Sequence, residues 1–357
     1  MMSMFVVGSA IVVGTEAGAK QDVWISILIG LLMSLPMIII YAQLLSVYPG
    51  KDLYDILLEA FGPVVGRVVS ILYLWYSFHL GALVIRNFSE FVNVMSFPET
   101  PQFVIIIFLG ITSVWIVKAG IEVLGRFSAF VFPIILGIII IVLILSTTNM
   151  HLINIRPVLY NGIKPVLTSA FSFFSFPLAE TVIFTMAFHN LKNAKKSISV
   201  FLLGSAIGCG VLLFVSVRNI LILGVPTATS LYFPSYVAVR IINIGDFLQR
   251  FEATVAVVFI TTGFIKISAC LYAASNGFAK IFNIKNYKQL VAPIGFLMMN
   301  LACLIYSNTM DMFTWAQKIY PYYALPFQVI MPIIIYAAVK IKFRGKAPAQ
   351  WQKTDTL

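Results

Sequence analysis

Apolar runs long enough to cross a lipid bilayer recur along almost the whole chain. A transmembrane helix needs about 20 consecutive apolar residues, so a chain of 357 residues has room for about ten helices and little else. Hydrophobic residues make up 60% of the chain and charged residues only 10%, and the mean hydropathy is +0.97. Soluble domains carry about 25% charged residues. The sequence therefore predicts an all-α integral membrane protein without a separate soluble catalytic domain.

Turn residues and charges divide the apolar runs into ten predicted transmembrane helices. In chain order, helices 1 to 10 are predicted over residues 1–14, 23–47, 64–95, 101–117, 121–146, 164–189, 197–223, 251–282, 290–306 and 319–339. Two intervening segments, 51–61 and 232–250, are amphipathic, which predicts an interfacial helix and a lid. One transmembrane domain is expected over 1–357, with halves 1–163 and 164–340 and a tail 341–357.

Basic residues are distributed unequally between the two sides that these ten helices define. One side carries Lys51, Arg67, Lys118, Arg126, Lys192, Lys195, Lys196, Lys280, Lys285, Lys288, Lys340, Lys342, Arg344, Lys346 and Lys353. The other side carries only Lys20, Arg156, Lys164, Arg218, Arg240, Arg250 and Lys318. Cytoplasmic loops of membrane proteins are enriched in Lys and Arg. The richer side also holds both ends of the chain, so both termini are predicted to be cytoplasmic.

Predicted helix 1 is shorter than the hydrocarbon core of a bilayer. Its length of about 21 Å compares with a core of about 30 Å. No polar segment precedes it, and Met occupies positions 1, 2 and 4. We expect the cytoplasmic half of helix 1 to be missing, with the natural start about ten to fifteen residues upstream. A cleaved signal peptide is the alternative, but it would begin with a basic segment, and this sequence does not.

Four ionisable residues are predicted to lie within the membrane: Arg86 and Glu90 on helix 3, Glu180 on helix 6 and Lys266 on helix 8. A charge at the bilayer centre costs about 2.5–3.5 kcal/mol on insertion scales, so each must face protein or water. Arg86 and Glu90 are one helical turn apart, which favours a structural ion pair over a functional role. Lys266 has no acceptor three or four residues away, so it needs acceptors on another helix or from carbonyls. A packing or gating role and a role in a binding site both stay open for Lys266.

Helices 1 and 6 each contain a predicted break. Pro177 cannot continue the helical hydrogen bonds, so helix 6 is expected to kink or unwind before it. Glu180 then lies in the first turn of the next half-helix, where the positive dipole end favours a carboxylate. The weak point of helix 1 is Gly8-Ser9-Ala10. Either feature alone also suits a packing contact or a simple kink. Breaks at corresponding positions of two five-helix halves indicate an inverted repeat with a binding site at the midplane.

Motifs in loops and at helix ends carry a family resemblance over essentially the whole chain. They are AKQDVWIS at 19–26, FPETP at 97–101, KAGIEVLGR at 118–126, RPVL at 156–159, NG at 161–162 with Pro165, FP at 176–177 with Glu180, FP at 233–234, IGDF at 244–247 with Glu252, and KIS at 266–268. With these motifs the chain resembles the spore germination permease subunits of the GerAB and GerKB type. That family belongs to the amino acid/polyamine/organocation transporter superfamily.

The resemblance implies a ten-helix LeuT-like fold with two inverted five-helix repeats and broken helices 1 and 6. It also implies a small nutrient, often an amino acid, bound between the breaks, and assembly with a larger membrane subunit and a lipoprotein in the spore inner membrane. The expected ligand-binding residues are Gly8, Ser9, Ala10, Ile11, Ser175, Phe176, Pro177 and Glu180, and Lys266, Arg86 and Glu90 form an expected gating or charge network. Family members usually carry a longer segment before the Gly-Ser-Ala break. No cofactor, metal or nucleic acid is expected.

Two functions from different classes are compatible with these features. As a receptor subunit, which is the preferred hypothesis, the protein would convert binding of an amino-acid-like germinant into a conformational change read by its partners. As a secondary transporter, it would carry an amino acid together with a proton or a cation. In the preferred hypothesis the ligand carboxylate is expected at N–H groups of residues 8–11 and its ammonium at carbonyls near Ser175 and Phe176. No catalytic triad, metal cluster or phosphate loop suggests an enzyme.

Overall fold

The protein is built of helices throughout the residues that its computed structural model describes, which are 1–14, 16–188, 196–241 and 251–343. Within these residues, eight helical runs are long and apolar enough to cross a membrane, and two apolar helices, Met2–Val13 and Val291–Leu304, are shorter. The α-helices, numbered α1 to α15, are Met2–Val13, Glu16–Ala19, Val23–Val47, Leu53–Met95, Gln102–Ala119, Ile121–Ser146, Ile163–Phe173, Ile183–Ala187, Ser197–Ser230, Pro234–Arg240, Phe251–Ile281, Val291–Leu304, Thr309–Thr314, Tyr320–Leu325 and Met331–Phe343. The predicted all-α, multi-pass membrane architecture is confirmed.

Both predicted helix breaks are present. In α1, Gly8 leaves helical geometry with φ 0° and ψ −120°. In predicted helix 6, α7 passes into a π-helical segment, Phe174–Leu178, and Phe176 within it has φ −131° and ψ 108°. A 3₁₀ turn over Ala179–Val182 then leads into α8. Each break leaves backbone groups outside the regular helical pattern at a depth where they need partners other than water.

The predicted interfacial helix at 51–61 is the first part of the long helix α4. The Asp52 carboxylate accepts from the Asp55 N–H, and the Asp55 carboxylate accepts from the Asp52 N–H, so the helix begins with a reciprocal cap. Gly62 interrupts the helix at φ 78°, a left-handed conformation that glycine adopts without a Cβ penalty. Pro63 then starts the transmembrane part. One element therefore connects a charged face of the protein with its centre.

Predicted helix 10 begins at Thr309, well before the expected start at residue 319. The helical run extends from α13 through α14 to α15. It does so through two π-helical segments, Trp315–Ile319 and Pro326–Ile330. The wider π-helical turns come shortly before Pro321 and Pro332 and allow the helix to continue past them. Such π segments occur frequently at functional sites.

Helix α11 lies at the centre of the bundle and packs against α4 and α1. Glycines of α11 permit this close approach. A Cβ on Gly263 would lie 2.3 Å from the ring of Phe88, and one on Gly277 would lie 2.4 Å from the ring of Tyr54. Since a real Cβ essentially never comes this close, larger residues at these positions would force the two helices apart. Lys266, which lies between the two glycines on α11, is thereby held in the interior.

Arg218 was expected to lie outside the membrane, but the structure places it in the protein interior. It is 3% exposed in α9, and its guanidinium donates to the Ser235 carbonyl at 3.1 Å and to the side-chain oxygen of Asn219 at 2.7 Å. Hydropathy alone missed this residue because it lies close to the predicted end of helix 7. The interior charges therefore include Arg218 in addition to the four that were predicted.

Several sequence predictions fall outside the described residues. They concern the last residue of predicted helix 6 and its following basic loop at 189–195, the second part of the predicted lid at 242–250, and the greater part of the tail at 344–357. The first part of the lid segment is described and forms the short helix α10, Pro234–Arg240.

Candidate functional site

A buried ion pair joins α11 to the broken helix 6, just after its break. The Lys266 ammonium on α11 contacts the Glu180 carboxylate in the 3₁₀ turn after the break, and both side chains are fully buried. The ammonium also lies 4.9 Å from the ring centroids of Phe5 and Phe176. Such positions over aromatic faces favour a cation. The prediction that Lys266 needs an acceptor on another helix is confirmed.

The Lys266 side chain also fills the break in α1. A Cβ on Gly8 would lie 2.8 Å from Lys266 Cδ, closer than real Cβ contacts come. Gly8 therefore serves two purposes, because it permits the non-helical backbone and it leaves space for the lysine stem. Helix 1, helix 6 and α11 meet at this single side chain.

A hydrogen-bonded chain of side chains leads from Glu180 into the helical run of predicted helix 10. The Tyr320 hydroxyl donates to Glu180 Oε1 at 2.5 Å, and the Tyr320 and Tyr76 hydroxyl oxygens are 3.1 Å apart. Gln328 Nε2 donates to the Tyr76 hydroxyl at 2.9 Å and also to the Ser175 carbonyl at 2.9 Å. The Ser175 hydroxyl in turn donates to Gln328 Oε1 at 3.0 Å. The donors therefore run in one direction, from Gln328 through Tyr76 and Tyr320 to Glu180, which polarises each successive bond.

A small cavity lies beside this chain at the two breaks. It has a volume of about 20 Å³, enough for one water molecule. Its polar or aromatic lining consists of Ser9, Asn87, Phe176, Glu180, Tyr306, Trp315 and Tyr320. We call it the central cavity. It receives side chains from α1, α4, the broken helix and the first π segment of helix 10, so elements from both halves of the chain contribute.

The predicted ligand-binding residues divide into two groups in the structure. Ser9, Phe176 and Glu180 line the central cavity. The other five do not: Gly8 packs on Lys266, Ser175 bonds with Gln328, Ile11 lines another small cavity, and Ala10 and Pro177 are buried in α1 and in the π segment. Sequence reasoning missed Asn87, Trp315, Tyr320 and Gln328. A usable signal was present for Asn87, Tyr320 and Gln328, which are polar or aromatic residues within predicted apolar spans. Trp315 lies before the predicted start of helix 10 and had no such signal.

A second, larger cavity lies next to the central cavity, at the C-terminal end of α1. We call it the vestibule. Its volume is about 390 Å³, within the range of small-molecule sites. Its lining includes Gly14, Gly18, Lys164, Ser169, Phe176 and Lys318. Phe176 and Ala316 line both the vestibule and the central cavity. These two residues form the partition between the two spaces.

A cluster of charged residues lies at the C-terminal end of α11. The Lys280 ammonium contacts the carboxylates of Asp52, at 3.0 Å, and of Asp55. Asn276 donates to Asp52 Oδ2 at 2.7 Å, and the Tyr54 hydroxyl donates to the Ala273 carbonyl at 3.1 Å. Burial raises the pKa of the Asp52 carboxyl, and the Lys280 ammonium lowers it in part. We call this group the α11 latch. It ties the first turn of α4 to the end of α11 on the side away from the vestibule.

The predicted ion pair between Arg86 and Glu90 is confirmed, with Arg86 Nε 2.9 Å from Glu90 Oε1. Arg86 also donates to the carbonyls of Ala302 and Cys303, and the Thr309 hydroxyl donates to Glu90 at 2.9 Å. These contacts join α4 to the end of α12 and to the start of α13. Neither residue lines the central cavity or the vestibule.

The broken helices, the interior charges, and the eight spanning runs with two shorter apolar helices in the described residues define a membrane protein with a LeuT-like fold. The solved structure of Mhp1, a nucleobase-cation-symport-1 family transporter, in a closed conformation with bromovinylhydantoin bound, matches it with a TM-score of 0.69. The match covers 98% of this chain and 79% of that chain at 13% sequence identity, so it concerns the fold alone.

Sequence comparison defines the family. The family model described as "Spore germination protein" matches residues 1–312. Spore germination protein KB of Bacillus subtilis (strain 168) is 30% identical, over 99% of this chain and 96% of that protein. The putative spore germination protein YfkT of the same organism is 29% identical, over 92% of this chain and 90% of that protein. The chain belongs to the spore germination protein family, and the predicted resemblance is confirmed.

Proposed function

We propose that the protein is the nutrient-binding, permease-like subunit of a spore germination receptor and that its ligand is a small amino-acid-like germinant. One observation carries this proposal. The two broken helices and the buried Lys266–Glu180 pair meet at the central cavity, and only a partition including Phe176 separates that cavity from a vestibule of ligand size. The site recognises a ligand and performs no chemistry on it.

The size of the central cavity makes binding depend on a conformational change. A volume of about 20 Å³ is too small for any amino acid. Movement of Phe176 toward the vestibule would join the two spaces and admit a ligand. A ligand that fits only the enlarged state shifts the population toward that state by its differential affinity. A receptor needs this property, because its signal is the difference between the two states.

The chain of hydrogen bonds from Glu180 to Gln328 supplies a route for the signal. Rearrangement at Glu180 changes the partner of the Tyr320 hydroxyl, which lies directly after the first π segment of helix 10. Gln328 lies in the second π segment. The helical run from Thr309 to Phe343 is therefore the element that would pass occupancy of the site to other subunits.

The family and the distribution of charges support a proposal for assembly and orientation. We propose a complex with a larger membrane subunit and a lipoprotein in the spore inner membrane. Both termini would lie in the cytoplasm, because the loops on their side are richer in Lys and Arg. In this orientation the vestibule faces outward and the α11 latch faces the cytoplasm, as a receptor for an external nutrient requires.

A secondary transporter is the second candidate. It is favoured because the site has one barrier on each side. The partition at Phe176 closes one side and the α11 latch closes the other, an arrangement that suits alternating access. Uptake decides between the candidates. We expect the full-length protein in liposomes, tested with radiolabelled L-alanine and L-valine, to bind one of them without concentrating it. Rapid gradient-driven accumulation by the protein alone would instead establish the transporter.

Replacement of Phe176 tests the site itself. Phe176→Ala removes the partition, so we expect relative affinity to shift from L-alanine toward L-valine and L-leucine. Phe171→Ala is the matched control, because Phe171 lies on the same helix and lines neither space. Unchanged affinities in a folded Phe176→Ala protein would reject the proposed position of the ligand.

A further inference from the structure

One face of helix α12 points away from the protein and carries an amide side chain. Asn300 is exposed on this face, between apolar neighbours that are exposed as well, such as Phe296 at 63% and Leu304 at 81%. The opposite face of α12 packs against α4, α5 and α11. The exposed side consists of Phe296, Leu297, Asn300, Cys303 and Leu304, and we call it the α12 outer face. In a bilayer this face meets lipid unless another protein covers it.

Asn300 lies near the middle of an uncharged stretch of the chain. The nearest charged residues are Lys288, twelve positions before it, and Asp311, eleven positions after it. A side chain at this depth has no water to bond with. Polar residues within membrane spans therefore almost always face protein or a water-filled cavity. Four other amide side chains of the helical bundle follow this rule and are buried: Asn87, Asn219, Asn276 and Gln328.

The hydrogen bonds of Asn300 use only part of its capacity. Its Nδ2 donates to the Phe296 carbonyl of its own helix at 2.8 Å, which is its one side-chain hydrogen bond within the described residues. A carboxamide has two N–H donors and an acceptor oxygen. One N–H and the oxygen therefore have no partner among the described residues. Lipid chains offer them none, whereas a polar group on a second transmembrane helix satisfies both.

We propose that the α12 outer face is a contact between two copies of this chain, with their Asn300 amides paired across a twofold axis along the membrane normal. Each amide donates its second N–H to the oxygen of the other, so the two hydrogen bonds are reciprocal. Copies of one chain insert in the same orientation, so Asn300 of a second copy lies at the same depth. A different partner would have to present its own polar side chain at this depth. The contact is separate from the nutrient site.

The surroundings of Asn300 suit such a contact. Leu297 and Leu304 lie about one helical turn to either side of it, and they would shield the paired amides from lipid. Cys303 lies one turn from Asn300 on the same face and is exposed, whereas Cys209 and Cys270 are buried. The natural sequence therefore places one accessible thiol on the proposed contact.

Cross-linking at Cys303 tests the contact. Membranes that contain the full-length protein, expressed alone, are treated with a short membrane-permeable bismaleimide. We expect a covalent dimer of the 39.7 kDa chain, which Cys303→Ser abolishes. The matched control is Cys303→Ser/Phe214→Cys, because Phe214 is 61% exposed on α9, which packs against α1 and α3. This thiol lies on a different exposed surface and should give only the background of random collisions.

Replacement of the amide tests the pairing itself. Asn300→Leu changes a side chain that bonds only to its own helix in the described structure, so the protein should fold with an unchanged or higher melting temperature. We expect dimerisation in liposomes, measured by energy transfer between donor-labelled and acceptor-labelled copies, to weaken about fivefold, as for other hydrogen bonds between transmembrane helices. Asn300→Gln keeps the carboxamide and should retain most of the dimer. Thr112→Val, which removes a hydroxyl bonded to its own helix α5, should change nothing.

Three outcomes would overturn the proposal. The first is cross-linking and energy transfer in the wild type no greater than for the Phe214→Cys control. The second is full dimerisation of folded Asn300→Leu, because the contact would then not depend on the amide. The third is a Cys303 product that forms only with a co-expressed membrane subunit, which would assign the α12 outer face to that subunit. None of these outcomes changes the proposed nutrient site, which lies elsewhere in the protein.

Discussion

The Lys266 ammonium and the Glu180 carboxylate form an ion pair between residues 86 positions apart, and neither side chain is exposed to solvent. The pair joins α11 to the broken helix, and the lysine stem passes the break of α1. The breaks of helix 1 and helix 6 therefore both pack around this ion pair. Removal of one partner from a buried pair leaves an uncompensated charge and costs about 3–5 kcal/mol.

Replacement of Lys266 tests the mutual dependence of the pair. Lys266→Met removes the charge while keeping most of the volume, so we expect a loss of about 3–5 kcal/mol in stability. The double variant Lys266→Met/Glu180→Gln should recover most of this loss, because no charge is left unpaired. Thermal unfolding in detergent measures both, with the exposed Lys285→Met as control. Equal melting temperatures for the single and double variants would contradict the pairing.

Gly8 should not tolerate a side chain. Gly8→Ala places a Cβ against Lys266 Cδ, so we expect a loss of about 1–3 kcal/mol in stability from overpacking. Gly137→Ala in α6 is the control, because its Cβ would meet nothing within 4 Å, and helix propensity should make that change neutral or stabilising. Thermal unfolding compares the two. Similar melting temperatures would mean that the lysine stem moves aside at no cost.

Tyr76 should matter for signalling more than for binding. Tyr76→Phe removes the hydroxyl between Gln328 and Tyr320, and Tyr76 does not line the central cavity. We expect about 1–3 kcal/mol lower stability, a small change in nutrient affinity and a clear loss of germination response. Tyr322→Phe, at a residue 65% exposed, is the control. A normal germination response in spores carrying Tyr76→Phe would exclude this route.

The α11 latch should control access from the side opposite the vestibule. Lys280→Gln removes the ammonium that contacts Asp52 and Asp55, so we expect this side to open more often. A cysteine placed at Ala273, which is fully buried, should then react faster with a thiol reagent in a background without natural cysteines. Lys51→Gln, which breaks an exposed ion pair with Glu59, should have no effect. Equal reaction rates would show that the latch serves stability only.

Single cysteines test the proposed orientation. Thr227 and Lys285 are exposed residues on opposite sides of the predicted topology. An impermeant thiol reagent added to intact cells should label Thr227→Cys and spare Lys285→Cys until the membrane is permeabilised. The reverse pattern would place the termini outside and the vestibule in the cytoplasm.

Features that depend on a single helix could be predicted from the sequence. The lengths of the apolar runs determined the number of spans, because the bilayer sets the length that a helix must have. Pro177 and Gly8 marked the two breaks through their own backbone chemistry. Arg86 and Glu90 were correctly paired, because residues four apart lie on the same face of any helix. The need of Lys266 for a distant partner followed from the absence of one nearby.

Only the tertiary structure decided which residue pairs with Lys266 and which residues line the central cavity. Glu180 rather than another acceptor meets Lys266, Asn87 and Trp315 line the cavity, and the Ser175 carbonyl bonds with Gln328. The start of helix 10 also depended on π-helical turns that no local pattern indicated. The physical reason is that the rotation and depth of each helix, and the paths at its breaks, result from side-chain packing between segments far apart in the sequence.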